Sequence, residues 1–374
     1  MATATTRGVS AGAVAIGSSI AEAEHLDAVT VTVEEGVDIA ATDRVTLAAT
    51  TTRADATSSA TPSGAGVVAA VIGRATSTVG GSPTLTSNAD ITAGTDIVIS
   101  VADASFADAS AEGLAIGFVG IGAMSGRATD RRDATLSSFG DLGAGGDVDI
   151  TATGTALART DGSSTSGGIL AGAGVNIDTV VTSTVALTVD GAITAGDDVT
   201  IRAEGDAEGD ATARGAAAAL IGSGGVVQAD LTVDGEVVLT IRPGAEISGD
   251  DITIAAVGGH EPSNAGIPGV TAYGIGDGRS NLSATGFAVA AFAGFDNRAL
   301  ADVDHTVTVF VDGTSGQSTR IEAVDALAIT AENHAATASF AGGGGGGAIS
   351  ASFSNTRAIL TATTEVVVGD RTDT

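Results

Sequence analysis

The chain has 374 residues with 45 acidic and 16 basic side chains, a net charge of -29 and an isoelectric point near 4.1. That balance argues against nucleic acid as a partner and makes cations the natural ones. The absence of Cys excludes disulfides and thiolate metal sites, and because every basic residue is Arg, lysine-derived cross-links are excluded too.

Taken in order, Val9 to Val33 places small or apolar residues at nearly every odd position, a period of two that predicts extended strand. Ser19, His25 and Asp27 break the pattern and are expected to mark a bend. From Ile39 a pattern recurs: an apolar residue, a short polar turn, an Asp shortly before a second apolar residue, then an alternating strand. It reads IAATDRVTLAA at Ile39, ITAGTDIVISV at Ile91, LGAGGDVDITA at Leu142, ITAGDDVTIRA at Ile193, ISGDDITIAA at Ile247 and IEAVDALAITA at Ile321. The spacings are 52, 51, 51, 54 and 74 residues. A fixed period in this range is the signature of a repeat architecture.

The whole of 1–374 is therefore read as one array. Residues 1–38 form a partial repeat, 39–90, 91–141, 142–192 and 193–246 are repeats, 247–320 is a repeat with a lateral insertion near 257–281, and 321–374 is a terminal partial repeat. The chain reads as a segment of something longer. Asp130, Arg131, Arg132 and Asp133 are expected at a solvated corner. Val-Asp-Gly at Val189, Val233 and Val311 reads as a two-residue hairpin signal and predicts some antiparallel pairing.

A strand with Val, Ile, Ala and Gly on one side and Thr, Ser, Asp or Arg on the other cannot bury its apolar side alone. Stacking repeats at ~4.8 Å would bury it continuously. The expected fold is all-β, an elongated, flattened parallel β-solenoid of ~52-residue repeats, with tandem antiparallel β-sandwich repeats as the alternative. Aromatic residues make up only 3% of the chain, and a small-residue interior should let the opposing sheets approach closely. One period makes either one large coil or two small ones.

The recurrent Asp43, Asp96, Asp147, Asp198, Asp251 and Asp325 are the candidate metal residues, since a stacked column of like charges would favour a cation such as calcium. The plainer reading is that each Asp caps its own turn. His25, His260, His305 and His334 lack metal-ligand spacing, and His25 and His305 are expected at equivalent bends. His260–Glu261 is the one pair to inspect for catalysis, but nothing supplies a nucleophile, so no catalytic residue and no cofactor other than calcium is expected. Gly342–Gly347 is no phosphate loop, because no Lys-Ser or Lys-Thr follows it. Exposed Thr and Ser rows present regular hydroxyl spacing suited to sugars.

The run I-x-A-G-D-D-V-x-I-x-A, followed by Ala/Gly-rich alternation and a Thr-Val strand, resembles the giant filamentous-haemagglutinin-like and leukotoxin-like repetitive adhesins of bacteria. The resemblance implies a secreted or surface-displayed stalk, a non-enzymatic extracellular segment of a large adhesin or fibre. Its partners would be neighbouring copies or the rest of a larger parent chain, together with cell-surface glycans. The alternatives are a self-assembling filament or sheath subunit and a β-helix enzyme acting on polysaccharides. The N-terminus MATATTRGVSAGAVAIG lacks the charged start and Leu-rich core of a secretory signal, and no membrane span is expected.

Overall fold

The structure, a computed structural model, describes residues 1–259, 280–314 and 316–369. His260, Glu261 and most of the Val257–Asn281 insertion lie outside them. The alternating segments form long strands, among them Val45–Gly81, Ile97–Ser138, Val148–Val189 and Val199–Ile241. No helix occurs among the described residues. All named strands belong to one 17-stranded sheet, and every ladder between them is parallel. The fold is a parallel β-solenoid.

The register settles the size of the coil. Val148 pairs with Ile97 on one side and Val199 on the other, each a full period away. One period is therefore one large coil, because two small coils would require pairing at half that offset. Ile39, Ile91, Leu142, Ile193, Ile247 and Ile321 stand in a single column.

Three local expectations are corrected. Asp234–Gly235 makes no hairpin: it lies inside Val199–Ile241, with Asp234 between Thr182 and Asp304 and Gly235 between Ser183 and His305. The inward stripe Leu231, Val233, Val237, Leu239 keeps its odd-numbered phase straight through this dipeptide, so stacking on both neighbours buries more than a local reversal would. Gly191 is in a turn at φ +90°, and after Val311 the antiparallel pairing among the described residues is one isolated bridge, Thr314–Gln317. Ser19 and His25 mark no bend either. Both sit within strand Ala2–Leu26, and only Asp27 falls in the break before Thr30. The third correction concerns Asp130–Asp133 and is described with the site below.

Each coil has two arms whose inward side chains meet. The interior divides into two apolar zones. Near the Asp turns it is built of branched residues such as Ile97, Ile99, Leu136, Ile150 and Leu187; toward the opposite edge it is mostly Ala, with Ala107, Ala109, Ala128 and Ala158 fully buried. The arms interlock by size. Gly154, Gly205 and Gly258 stack in one column and face a column of Val185, Val237 and Val307 on the other arm. A methyl on Gly205 would lie 2.5 Å from Val237 Cγ2.

Gly205→Ala should therefore cost about 1–3 kcal/mol by overpacking. In chemical denaturation, Val237→Ala introduced beside it should recover a large part of that loss. Simple addition of the two costs would show that the arms do not touch here.

Candidate functional site

The turns before the long strands bring Asp96, Asp147, Asp198 and Asp251 together. Adjacent coils are offset here by 51, 51 and 53 residues, which puts these four in register. The first three carboxylates reach along the solenoid to their successors' backbone. Asp147 N–H donates to Asp96 Oδ1 at 3.4 Å, Asp198 N–H to Asp147 Oδ1 at 3.1 Å and Asp251 N–H to Asp198 Oδ1 at 3.2 Å. The aspartates thus cap the next coil's turn, where the local reading placed the cap on their own.

Asp43 and Asp325 stand one position out of this column. The offset between Val45 and Ile97 is 52, so Asp43 meets Thr95, whose hydroxyl donates to Asp43 Oδ1 at 3.1 Å. Asp251 pairs with Ala326 across a register shift, leaving Asp325 displaced. Arg44 fills the place left by Asp43 and closes on Asp96 Oδ2 at 2.6 Å. Its hydrogen bond, followed by the Asp147 N–H, holds the Asp96 carboxyl below the usual range. A second column went unnoticed in the sequence: Asp90 Oδ1 accepts from Asp141 N–H at 3.0 Å, and Asp141 Oδ1 from Ala192 N–H at 2.8 Å. The 51-residue spacing of Asp90 and Asp141 was the available signal. Among the described residues no three His, Asp or Glu side chains converge as a ligand group.

The corner expected at Asp130–Asp133 is instead half interior. Strand Ile97–Ser138 runs through it, so alternation sends Asp130 and Arg132 inward, at 0% and 1% exposure, and Arg131 and Asp133 outward. Arg132 spans the interior between the two apolar zones. Its Nε and Nη2 bind Asp103 Oδ1 and Oδ2 at 2.9–3.1 Å, and Nη1 donates to Asp27 at 2.7 Å and Gly80 O at 2.9 Å. Thr51 takes the remaining Nη2 contact at 3.1 Å. Burial raises the Asp103 carboxyl despite Arg132. For Asp27 the same burial is outweighed by the hydrogen bond and charge of Arg132, and its carboxyl falls below the ordinary value.

Asp130 stacks between Val79 and Val181 with both its carboxyl oxygens buried, and the Ser105 hydroxyl and Leu157 N–H that face it offset only part of the cost. Burial pushes it up to about 8, so the fold holds it as a neutral acid at pH 7. His305 is similar: 1% exposed, with no partner at either ring nitrogen, and lowered by burial to about 4. It pairs with Gly235, whereas His25 pairs with Val79 two positions away across the ladder, so the two histidines do not occupy equivalent places.

The outer surface carries regular features as well. Thr32, Thr86, Ser137, Thr188 and Thr240 form one row of hydroxyls across five coils. An open recess of about 520 Å³ is bordered by Arg214, Ala216, Phe287, Phe340 and Gly343. Comparison with protein families, curated proteins and solved structures finds no match to the chain.

Asp147→Ala should lower stability by about 1 kcal/mol through the orphaned Asp198 N–H, while Asp147→Asn, which keeps the acceptor and removes the charge, should hold the melting temperature or raise it. Arg132→Ala should cost about 3–5 kcal/mol by leaving Asp103 buried and unpaired. For Asp130 the unfolded carboxyl ionises near 3.8 and the folded one near 8. Folding is therefore opposed increasingly as pH rises through that interval. Asp130→Val, matching Val79 and Val181, should raise the melting temperature, and the gain should be larger at the alkaline end of that interval than at the acid end.

Proposed function

We propose that the chain is an extracellular β-solenoid spacer, a non-enzymatic structural segment of a large surface adhesin or fibre. The observation that supports this reading is the parallel register carried from one coil to the next through the described residues, with Ile39 to Ile321 in one column. Stacked coils convert chain length into rod length at ~4.8 Å per coil. A ladder of backbone bonds running along the rod is the direction in which a stalk is loaded.

The acidic turns support a further role as a solvated rail. Calcium enters this reading as an exchangeable counter-ion held along Asp96, Asp147, Asp198 and Asp251. The hydroxyl row of Thr86, Ser137, Thr188 and Thr240 is the surface on which cell-surface glycans would be met. A second reading is a self-assembling filament, in which coils of neighbouring copies would continue the parallel ladder.

Deleting residues 142–192, one whole coil, should leave a folded rod shortened by about 4.8 Å in small-angle scattering, whereas deleting half of that span should unfold it. Antibody raised against the purified chain should label intact source cells. Labelling only after lysis, or release of sugar from a panel of acidic polysaccharides with or without calcium, would sink the spacer reading. The calcium role fails if chelator leaves the melting temperature unmoved. Electron microscopy of the isolated chain decides the filament reading, which requires long fibres in place of short rods.

A further inference from the structure

In every coil one stretch of at least 14 residues contains no Asp, Glu or Arg: 8–21, 56–73, 113–126, 162–177, 215–229, 280–295 and 335–356. The register stacks them. Val14, Val68, Val119, Leu170, Gly222, Phe292 and Ile349, one from each, form a single column. Within each stretch the coil doubles back, since Gly113 faces Met124, Gly162 faces Ile177 and Gly215 faces Val227. The stretches therefore make up the edge of the solenoid opposite the aspartate turns.

This edge is uncharged and apolar on its outside. Leaving aside the first and last coils, whose end faces expose their own interiors, fourteen large apolar side chains are exposed among the described residues between Ile39 and Arg320. All fourteen lie in the stacked charge-free stretches. Val68, Phe118, Ile121, Leu170, Leu220 and Phe292 are representative, with 38–74% of their surface open. Scattered surface apolar residues need no explanation, but confinement of all of them to one stripe does.

Charge selects the occupant. The chain carries -29, so two copies repel wherever their acidic surfaces meet. At this edge the flanking charges begin about six residues from the apex, roughly 20 Å along the strand and well beyond a Debye length of ~8 Å. Edge-to-edge approach keeps the acidic arms pointing away from each other. The stripe is about 34 Å long over seven coils and about 20 Å wide, or roughly 700 Å² per copy, close to the ~800 Å² per partner of a standard stable interface. A lipid surface fits less well, because the chain has no Trp, no Lys and one Tyr, the residues that anchor proteins at a bilayer interface.

We propose that the charge-free edge is a homotypic interface: two copies pair along it about a two-fold axis, with both aspartate edges outermost. The pairing is independent of the spacer reading, since it concerns the side of the rod and not its length or location. Sedimentation of the full chain should show a concentration-dependent dimer that strengthens as salt screens the residual repulsion. Phe118→Glu and Leu220→Glu, both at exposed positions and so compatible with folding, should each weaken it by about tenfold or more. Thr92→Glu on the opposite edge should leave it unchanged. Because the chain has no Cys, a spin label on Ala291→Cys reports the paired edge directly and should give a short intermolecular distance, while Thr92→Cys should give none. The proposal is overturned by a chain that stays monomeric at every concentration, by dimers indifferent to both Glu variants, by short distances from the Thr92 label, or by monomers that float with zwitterionic vesicles.

Discussion

Backbone pairing at a constant offset of about one coil governs every other feature of this molecule. Once Ile97 is bonded beside Val148, and Val148 beside Val199, each residue is fixed next to its counterparts one period away. A parallel ladder has no freedom to place unlike positions side by side. What one coil carries at a position, the next coil must tolerate about 4.8 Å away.

Three chemistries show how that tolerance is met. At the turns, like charges are stacked, and Asp96, Asp147 and Asp198 each turn a carboxylate to the successor's N–H, so repulsion is offset by a hydrogen bond that only stacking makes available. Across the interior, glycine columns face valine columns, which lets the two arms interlock without large side chains. Between the apolar zones lies a polar seam in which Arg132 joins Asp27, Thr51, Gly80 and Asp103 from three successive coils. Asp130 and His305 sit in the same seam, each neutral because burial disfavours its charge. Their pH dependences oppose one another. Asp130 makes folding less favourable as pH rises, and His305 makes it less favourable as pH falls below the ordinary histidine range.

The distribution of charge follows from the same stacking. Acidic residues recur at one edge and are missing from the other in every coil, so the rod has an ionic side and an apolar side along its length. A single coil would show only a short uncharged segment. Repetition turns that segment into a surface.

That one repeat closes a single coil was decided by the ladder register, but the sequence alone carried the strand period, the repeat length and the inward-facing residues, because alternation and a 51-residue recurrence are properties of the chain written once per repeat. It also located the aspartate turns, and four of the six named residues, Asp96, Asp147, Asp198 and Asp251, share a column. Only the tertiary structure decided that Asp43 and Asp325 fall out of it, since a one-residue change of offset is invisible until both neighbours are paired. The same holds for Val-Asp-Gly, whose local turn preference is overridden at Asp234 by ladders on both sides. Arg132 meets Asp103 and Asp27 at separations of 29 and 105 residues, and only the pairing of arms and coils makes a charged cluster that reads locally as a surface corner into the centre of the seam.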